Sequence, residues 1–106
     1  MGRSSRQKGQ RGEREVVAHL ASLGFEARRG WQARQGHAQC DVEGTDWWIE
    51  VKRGKRCPIR AAMRQAEADT DGRPCLVLWR DDRQPWMVTL RLDDAVVLLD
   101  SGAGDG

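Results

Sequence analysis

The stretch Asp41-Val42-Glu43-Gly44-Thr45-Asp46-Trp47-Trp48-Ile49-Glu50-Val51-Lys52 decides how this chain reads. Two runs with strand-like alternation flank the polar break Gly44-Thr45, which predicts a β-hairpin. A tight turn pairs Glu43 with Asp46 and sets Asp41 opposite Trp48. Side chains alternate faces along a strand, so Trp48, Glu50 and Lys52 share the face towards which Asp41 points. Trp47, Ile49 and Val51 form the opposite, apolar face, and the hairpin is expected to be core on one side and chemical on the other. Asp41 and Glu50 become diagonal neighbours about 7 Å apart. Two carboxylates at that separation suit one hard divalent cation held through oxygen.

Phosphodiester hydrolysis needs such a cation, to polarise the phosphate and to make hydroxide available near neutral pH. A lysine beside the carboxylates can steady the attacking water or the developing negative charge. Asp41, Glu50 and Lys52 supply this set. In a chain that is 32% charged, the same spacing fits a surface hairpin with a Glu/Lys pair equally well. A third carboxylate favours the chemical alternative. Residues 13–24 predict an amphipathic helix ended by Gly24, with Val16, Val17, Leu20 and Leu23 on its apolar face. At 100° per residue Glu13 falls on that inner face, whereas Arg14, Glu15 and His19 point outward. A carboxylate turned inward needs a partner, and a metal cluster beneath the helix provides one.

These residues resemble the PD-(D/E)XK nuclease superfamily and, within it, the archaeal and phage Holliday junction resolvases. The likeness starts at Lys8-Gly9 and Gly12-Glu13-Arg14, and continues through Val16-Val17, Leu20 and Gly24-Phe25. Asp41 falls at the motif aspartate and Glu50-Val51-Lys52 at its E-x-K part. Gln65 sits in the following helix, where many members carry a glutamine near the site, and Gly72-Arg73-Pro74 leads into an apolar strand. The proline that usually precedes the motif aspartate is Cys40 here. The resemblance spans residues 8–98. It implies an α/β, restriction-endonuclease-like αβββαβ core with a mixed five-stranded sheet flanked by helices. It also implies Mg²⁺ as cofactor, with Mn²⁺ substituting, held by Asp41 and Glu50 and completed by Glu13 directly or through water. Lys52 and Gln65 are the further catalytic candidates, and a homodimer is implied because two opposed strands must be cut.

The 106 residues suffice for one domain with a modest core. No apolar run is long enough to span a membrane, the basic N-terminus lacks a signal-like apolar region, and an intracellular setting is expected. Cys40, Cys57 and Cys75 are odd in number and lack C-x-x-C spacing, which suits a reducing compartment and argues against structural zinc. Net charge is only +2, but residues 1–35 hold eight Lys/Arg against three acids, and residues 61–106 hold five against nine. Fifteen of the eighteen cations are arginine, the side chain suited to bidentate phosphate contact. Arg3, Arg6, Lys8 and Arg11 lie in residues 1–10 and just beyond, which reads as a flexible basic arm for a phosphate backbone or as a solvated tail. Arg28, Arg29, Trp31 and Arg34 interleave cations with an aromatic, a pattern for backbone contact and base stacking, with at most one of Arg28 and Arg29 facing the site. His37 precedes Asp41 in the same loop. Arg53, Lys55 and Arg56 follow the E-x-K strand and are candidates for the phosphates flanking the cut.

The expected elements are helix 11–23, strand 25–30, loop 31–38, strand 39–43, strand 46–53, helix 58–71, strand 74–80, strand 85–91 and helix 93–100, then a frayed tail over 101–106. Ile59, Ala62, Met63, Ala66 and Thr70 make the inner stripe of the second helix, flanked by Gln65. Trp79 and Trp86 are expected to pair across the last hairpin. Together these observations predict a Mg²⁺-dependent endonuclease acting on DNA, and the resemblance implies branched DNA as substrate. The alternatives are a nickase, restriction or repair nuclease of the same fold acting on linear duplex, and a DNA-binding module without catalysis.

Overall fold

Ile49 and Val51 point to one side of their strand and Trp48 to the other, and both sides are covered by helices. The computed structural model describes residues 2–30 and 40–104, with side chains for 9–30 and 40–100. Its elements are α1 (Gly2–Ser22), β1 (Arg28–Arg29), β2 (Val42–Glu43), β3 (Trp48–Gly54), α2 (Ile59–Asp69), β4 (Cys75–Asp81), β5 (Met87–Thr89) and α3 (Leu92–Gly104). The sheet has five strands in the order β1-β2-β3-β4-β5. Only β3 and β4 run parallel, and α2 makes the crossover that a parallel pair requires. The result is the expected mixed α/β fold.

On one face α1 covers a cluster of Val16, Val42, Ile49, Val51 and Leu78, extended by Val17, Leu20, Trp47 and Trp86. On the other, α2 lays Ala66 against Trp48, Cys40 and Cys75, with Met63 beside them. Each fully buried aliphatic side chain contributes about 1.5–3 kcal/mol, so the two clusters fix β3 in depth and in rotation. The hairpin is therefore not open on its Trp48 side, as the alternation alone implied. Trp48 is only 2% exposed.

Helix α1 begins at Gly2, well before residue 11, so residues 2–10 continue the helix backwards instead of forming an extended arm. Its C-terminus is a Schellman arrangement. Phe25 N–H bonds the Leu20 carbonyl at 3.1 Å and Gly24 N–H bonds that of Ala21 at 3.1 Å, with Gly24 at φ +101°. Leu23 lies past the last turn and is 65% exposed, so it leaves the apolar face it was expected to join. Gly12 lets the helix approach the sheet: a Cβ there would lie 3.0 Å from Arg53 Cβ and 3.4 Å from Val51 Cγ1.

Glu15 does not point to solvent. Its carboxylate takes Arg80 Nη1–H at 2.8 Å and Trp86 Nε1–H at 3.1 Å, and Arg53 Nε lies 3.4 Å away. One carboxylate thus ties α1 to β3, to β4 and to the entry of β5. Trp86 is drawn to this face, whereas Trp79 Nε1–H bonds Thr89 Oγ1 at 2.9 Å and stands opposite Met87. The expected Trp79–Trp86 pair is not formed. Helix α3 leaves Leu92, Val96, Val97, Leu98 and Leu99 exposed. It runs to Gly104, into the segment expected to be a frayed tail. A groove of about 400 Å³ lined by Leu23, Phe25, Trp47, Met87 and Val88 is also uncovered. Among the described residues no helix is long and apolar enough to cross a membrane.

Because Glu15 serves three partners, Glu15→Gln is expected to cost on the order of 1–2 kcal/mol, lowering Tm by roughly 5–10 °C. Thermal melting by circular dichroism checks this, and an unchanged Tm contradicts the role assigned to the cluster.

Candidate active site

The backbone pairs Val42 with Ile49, where a two-residue turn would have paired it with Trp47. The connection is longer because Thr45 Oγ1 accepts the Trp47 N–H at 3.1 Å while the Trp47 ring packs against the α1-side core. The displacement is an even number of residues, so every side chain keeps its face. Asp41, however, moves from opposite Trp48 to beside Glu50. Its N–H bonds the Ile49 carbonyl at 2.8 Å, and its Oδ2 accepts the Val51 N–H at 2.8 Å. Asp41 thus extends the ladder of β3 with its own side chain at the point where β2 ends.

Glu50 is 9% exposed, and Oε1 accepts Trp48 Nε1–H at 3.1 Å. Burial first, and then the charge of Asp41, push its carboxyl up to about 7, while the Trp48 bond and the Lys52 charge offset part of this. Two oxygen-donor carboxylates held side by side, one of them poorly solvated, form a donor set for a hard divalent cation. Asp41 and Glu50 are the residues that could hold one.

Glu13 is nearby but differently engaged. Its side chain is 17% exposed, and Oε1 accepts Arg29 Nε–H at 3.0 Å. Burial raises its pKa against the Arg29 bond, and it feels the charges of both Asp41 and Lys52. Among the described residues no three His, Cys, Asp or Glu side chains converge closely enough to hold a metal ion. The expected cluster of three is therefore present as a pair with Glu13 beside it.

The remaining candidates separate. Gln65 is exposed on α2 and donates to Asp69 of its own helix at 2.6 Å, so no contact places it at the carboxylates. Arg53 lies on the face opposite Glu50 and Lys52, under α1, with its Nε 3.4 Å from the Glu15 carboxylate. Lys55 and Arg56 are exposed beyond the end of β3, and Arg11 is exposed on α1. The side chains of Arg3, Arg6 and Lys8, together with Trp31, Arg34, His37 and the loop 31–38, lie outside the described residues.

Arg73 is a supporting residue that sequence reasoning passed over. It reaches Glu43 at 3.2 Å and Asp71 at 2.9 Å, and its guanidinium sits 5.4 Å from the Trp48 ring centroid. It also donates to the Thr45 and Trp47 carbonyls at 3.5 and 3.4 Å, and so ties the turn to the start of β4. The signal was its position between Gly72 and Pro74, but its partners lie far away in sequence. Cys40, in the place of the usual proline, lies 3.1 Å from the Val42 carbonyl and 3.0 Å from the Glu43 carboxylate. Burial, and then its contact with Glu43, push this thiol up to about 11, so it is inert as a nucleophile.

Sheet order, crossover helix and carboxylate edge together define a resolvase-like nuclease fold. The chain is similar to the solved structure of Archaeoglobus fulgidus Hjc, a Holliday junction resolvase from an archaeal hyperthermophile. The two are 25% identical with a TM-score of 0.60, over 77% of this chain and 76% of that one. No family model matches the chain, and no curated protein does.

The raised pKa of Glu50 has a consequence for stability. Between its ordinary value of 4.5 and about 7 the folded state keeps a proton that the unfolded state releases. Its contribution is therefore full below that window and is lost as pH rises through it. In EDTA, Glu50→Gln is expected to melt roughly 5 °C or more above the parent at pH 7.5, with the difference vanishing near pH 4.5. Parallel melting curves across this range contradict the assignment.

Proposed function

We propose that this protein is a metal-dependent DNA endonuclease that hydrolyses phosphodiester bonds at branched DNA, with a four-way junction as substrate. The observation that carries the reading is the Asp41–Glu50 pair, two carboxylates apposed and partly buried on a resolvase-like fold. The likeness to a Holliday junction resolvase supports branched DNA over linear duplex.

Asp41 and Glu50 would hold Mg²⁺, or Mn²⁺ in its place. When bound, the cation supplies Lewis acidity to the phosphate and makes water easier to deprotonate. The chain's own groups do the rest. The Val51 N–H fixes one oxygen of Asp41, and the Trp48 indole Nε1–H fixes one oxygen of Glu50, so both carboxylates are oriented before a cation would arrive. Lys52, on the same face of β3, steadies the negative charge that develops on the phosphate. Lys55 and Arg56 extend beyond the strand end as phosphate contacts, with Arg11 and the basic residues Arg3, Arg6, Lys8 and Arg34 as further backbone contacts and Trp31 as a stacking platform.

Cutting two opposed strands calls for two sites, and the protein is proposed to act as a homodimer. The uncovered groove and the apolar side chains of α3 support this, because exposed apolar surface of that extent marks a contact site.

Asp41→Asn and Glu50→Gln are each expected to abolish cleavage of a synthetic four-way junction while leaving its binding within a fewfold. EDTA is expected to stop the parent, and Ca²⁺ to allow binding without cutting. Gel assays on the junction beside matched linear duplex check this. Near-parental turnover by Asp41→Asn sinks the site, and equal cutting of both DNAs sinks branched-DNA specificity.

For the assembly, sedimentation equilibrium is expected to give a dimer for the parent and a monomer for a folded Val97→Glu variant. A monomeric parent contradicts the assembly.

A further inference from the structure

Glu13 is the one carboxylate of the expected three whose partner is a cation from another strand. Arg29, at the end of β1, donates Nε–H to Glu13 Oε1 at 3.0 Å, with the arginine side chain 39% exposed and the glutamate 17%. Glu13 lies within electrostatic reach of Asp41 and Lys52, yet it does not join Asp41 and Glu50 in a group able to hold a metal. A carboxylate oxygen engaged by a guanidinium is withdrawn from a cation. The same guanidinium keeps other donors towards solvent, in the planar fork that matches a phosphate.

We propose that Arg29 is a positioning residue that holds Glu13 away from the Asp41–Glu50 pair until a DNA phosphate takes over the guanidinium, so that cation binding and DNA binding favour one another. The phosphate half rests on the nuclease function proposed above. The cation half depends only on the side chains of this chain. Linkage makes the coupling reciprocal: whatever factor DNA contributes to cation affinity, the cation contributes to DNA affinity. Exchange of one charge-assisted bond for another places that factor within the usual range of roughly 5- to 150-fold. A purely structural ion pair predicts the opposite sign, since its loss would loosen the contact between α1 and β1 and with it the cation site.

Titration of Mn²⁺ into the DNA-free protein by calorimetry tests the cation half without any cleavage. Arg29→Ala is expected to bind Mn²⁺ about tenfold tighter than the parent. In a Glu13→Gln background the same change is expected to give a much smaller gain, because only the long-range charge of Arg29 is then removed. Arg29→Gln, which keeps the bulk of the side chain, replaces the alanine variant if that chain does not fold. Repeating the titration with Ca²⁺ on the protein bound to a four-way junction is expected to show parental affinity raised by DNA and the Arg29 variant unaffected. Unchanged or weaker Mn²⁺ binding by the Arg29 variants overturns the proposal, as does an equal gain in the Glu13→Gln background. Tighter Mn²⁺ binding in a protein that cuts no DNA retains the hold on Glu13 and overturns the nuclease function alone. Parental cleavage with no change in Mn²⁺ affinity does the reverse.

Discussion

Two carboxylates that cannot both be comfortable set the terms for this molecule. The pairing of Val42 with Ile49 brings Asp41 beside Glu50, and α2 buries the face on which Glu50 lies. Like charges in a poorly solvated place are costly, and the structure offsets only part of that cost. The Val51 N–H and the Trp48 indole each satisfy one oxygen, and Lys52 contributes a nearby positive charge. The cation proposed above would offset the remainder. Strain of this kind is retained where function needs it.

Much of the surrounding structure keeps that pair in register. Gly12 brings α1 close to β3, and Glu15 ties the helix to β3, to β4 and to the entry of β5 through Arg53, Arg80 and Trp86. Arg73 does the same from the other side, pinning the turn before β3 to the segment before β4 and stacking on Trp48. Both clamps are charged and only part-buried, so they add direction where the two apolar clusters add depth. They hold still the strand that carries Glu50 and Lys52.

Element order, the faces of β3 and the identity of the paired carboxylates were legible in the sequence because period-2 alternation and helical phase are local properties. The register of the hairpin was not, since it depends on the Trp47 ring being drawn into the core under α1, and a turn read in isolation cannot know that. Glu15 was misjudged for a similar reason. Helical phase turns it away from the apolar stripe, and the partners that draw it back, Arg80 and Trp86, lie far along the chain. The early start of α1 was hidden by glycine and serine, whose weak helix propensity is overridden here. Gln65 followed the resemblance in sequence position, but the turn of α2 that buries Ala62 and Ala66 leaves it facing solvent beside Asp69.

The central claim is that Asp41 and Glu50 share one divalent cation. Crystals soaked in Mn²⁺ and measured at the manganese absorption edge test it directly. A single anomalous peak in contact with carboxylate oxygens of both residues is the predicted result. Full-occupancy manganese bound elsewhere, or no peak between these carboxylates at saturating Mn²⁺, contradicts it.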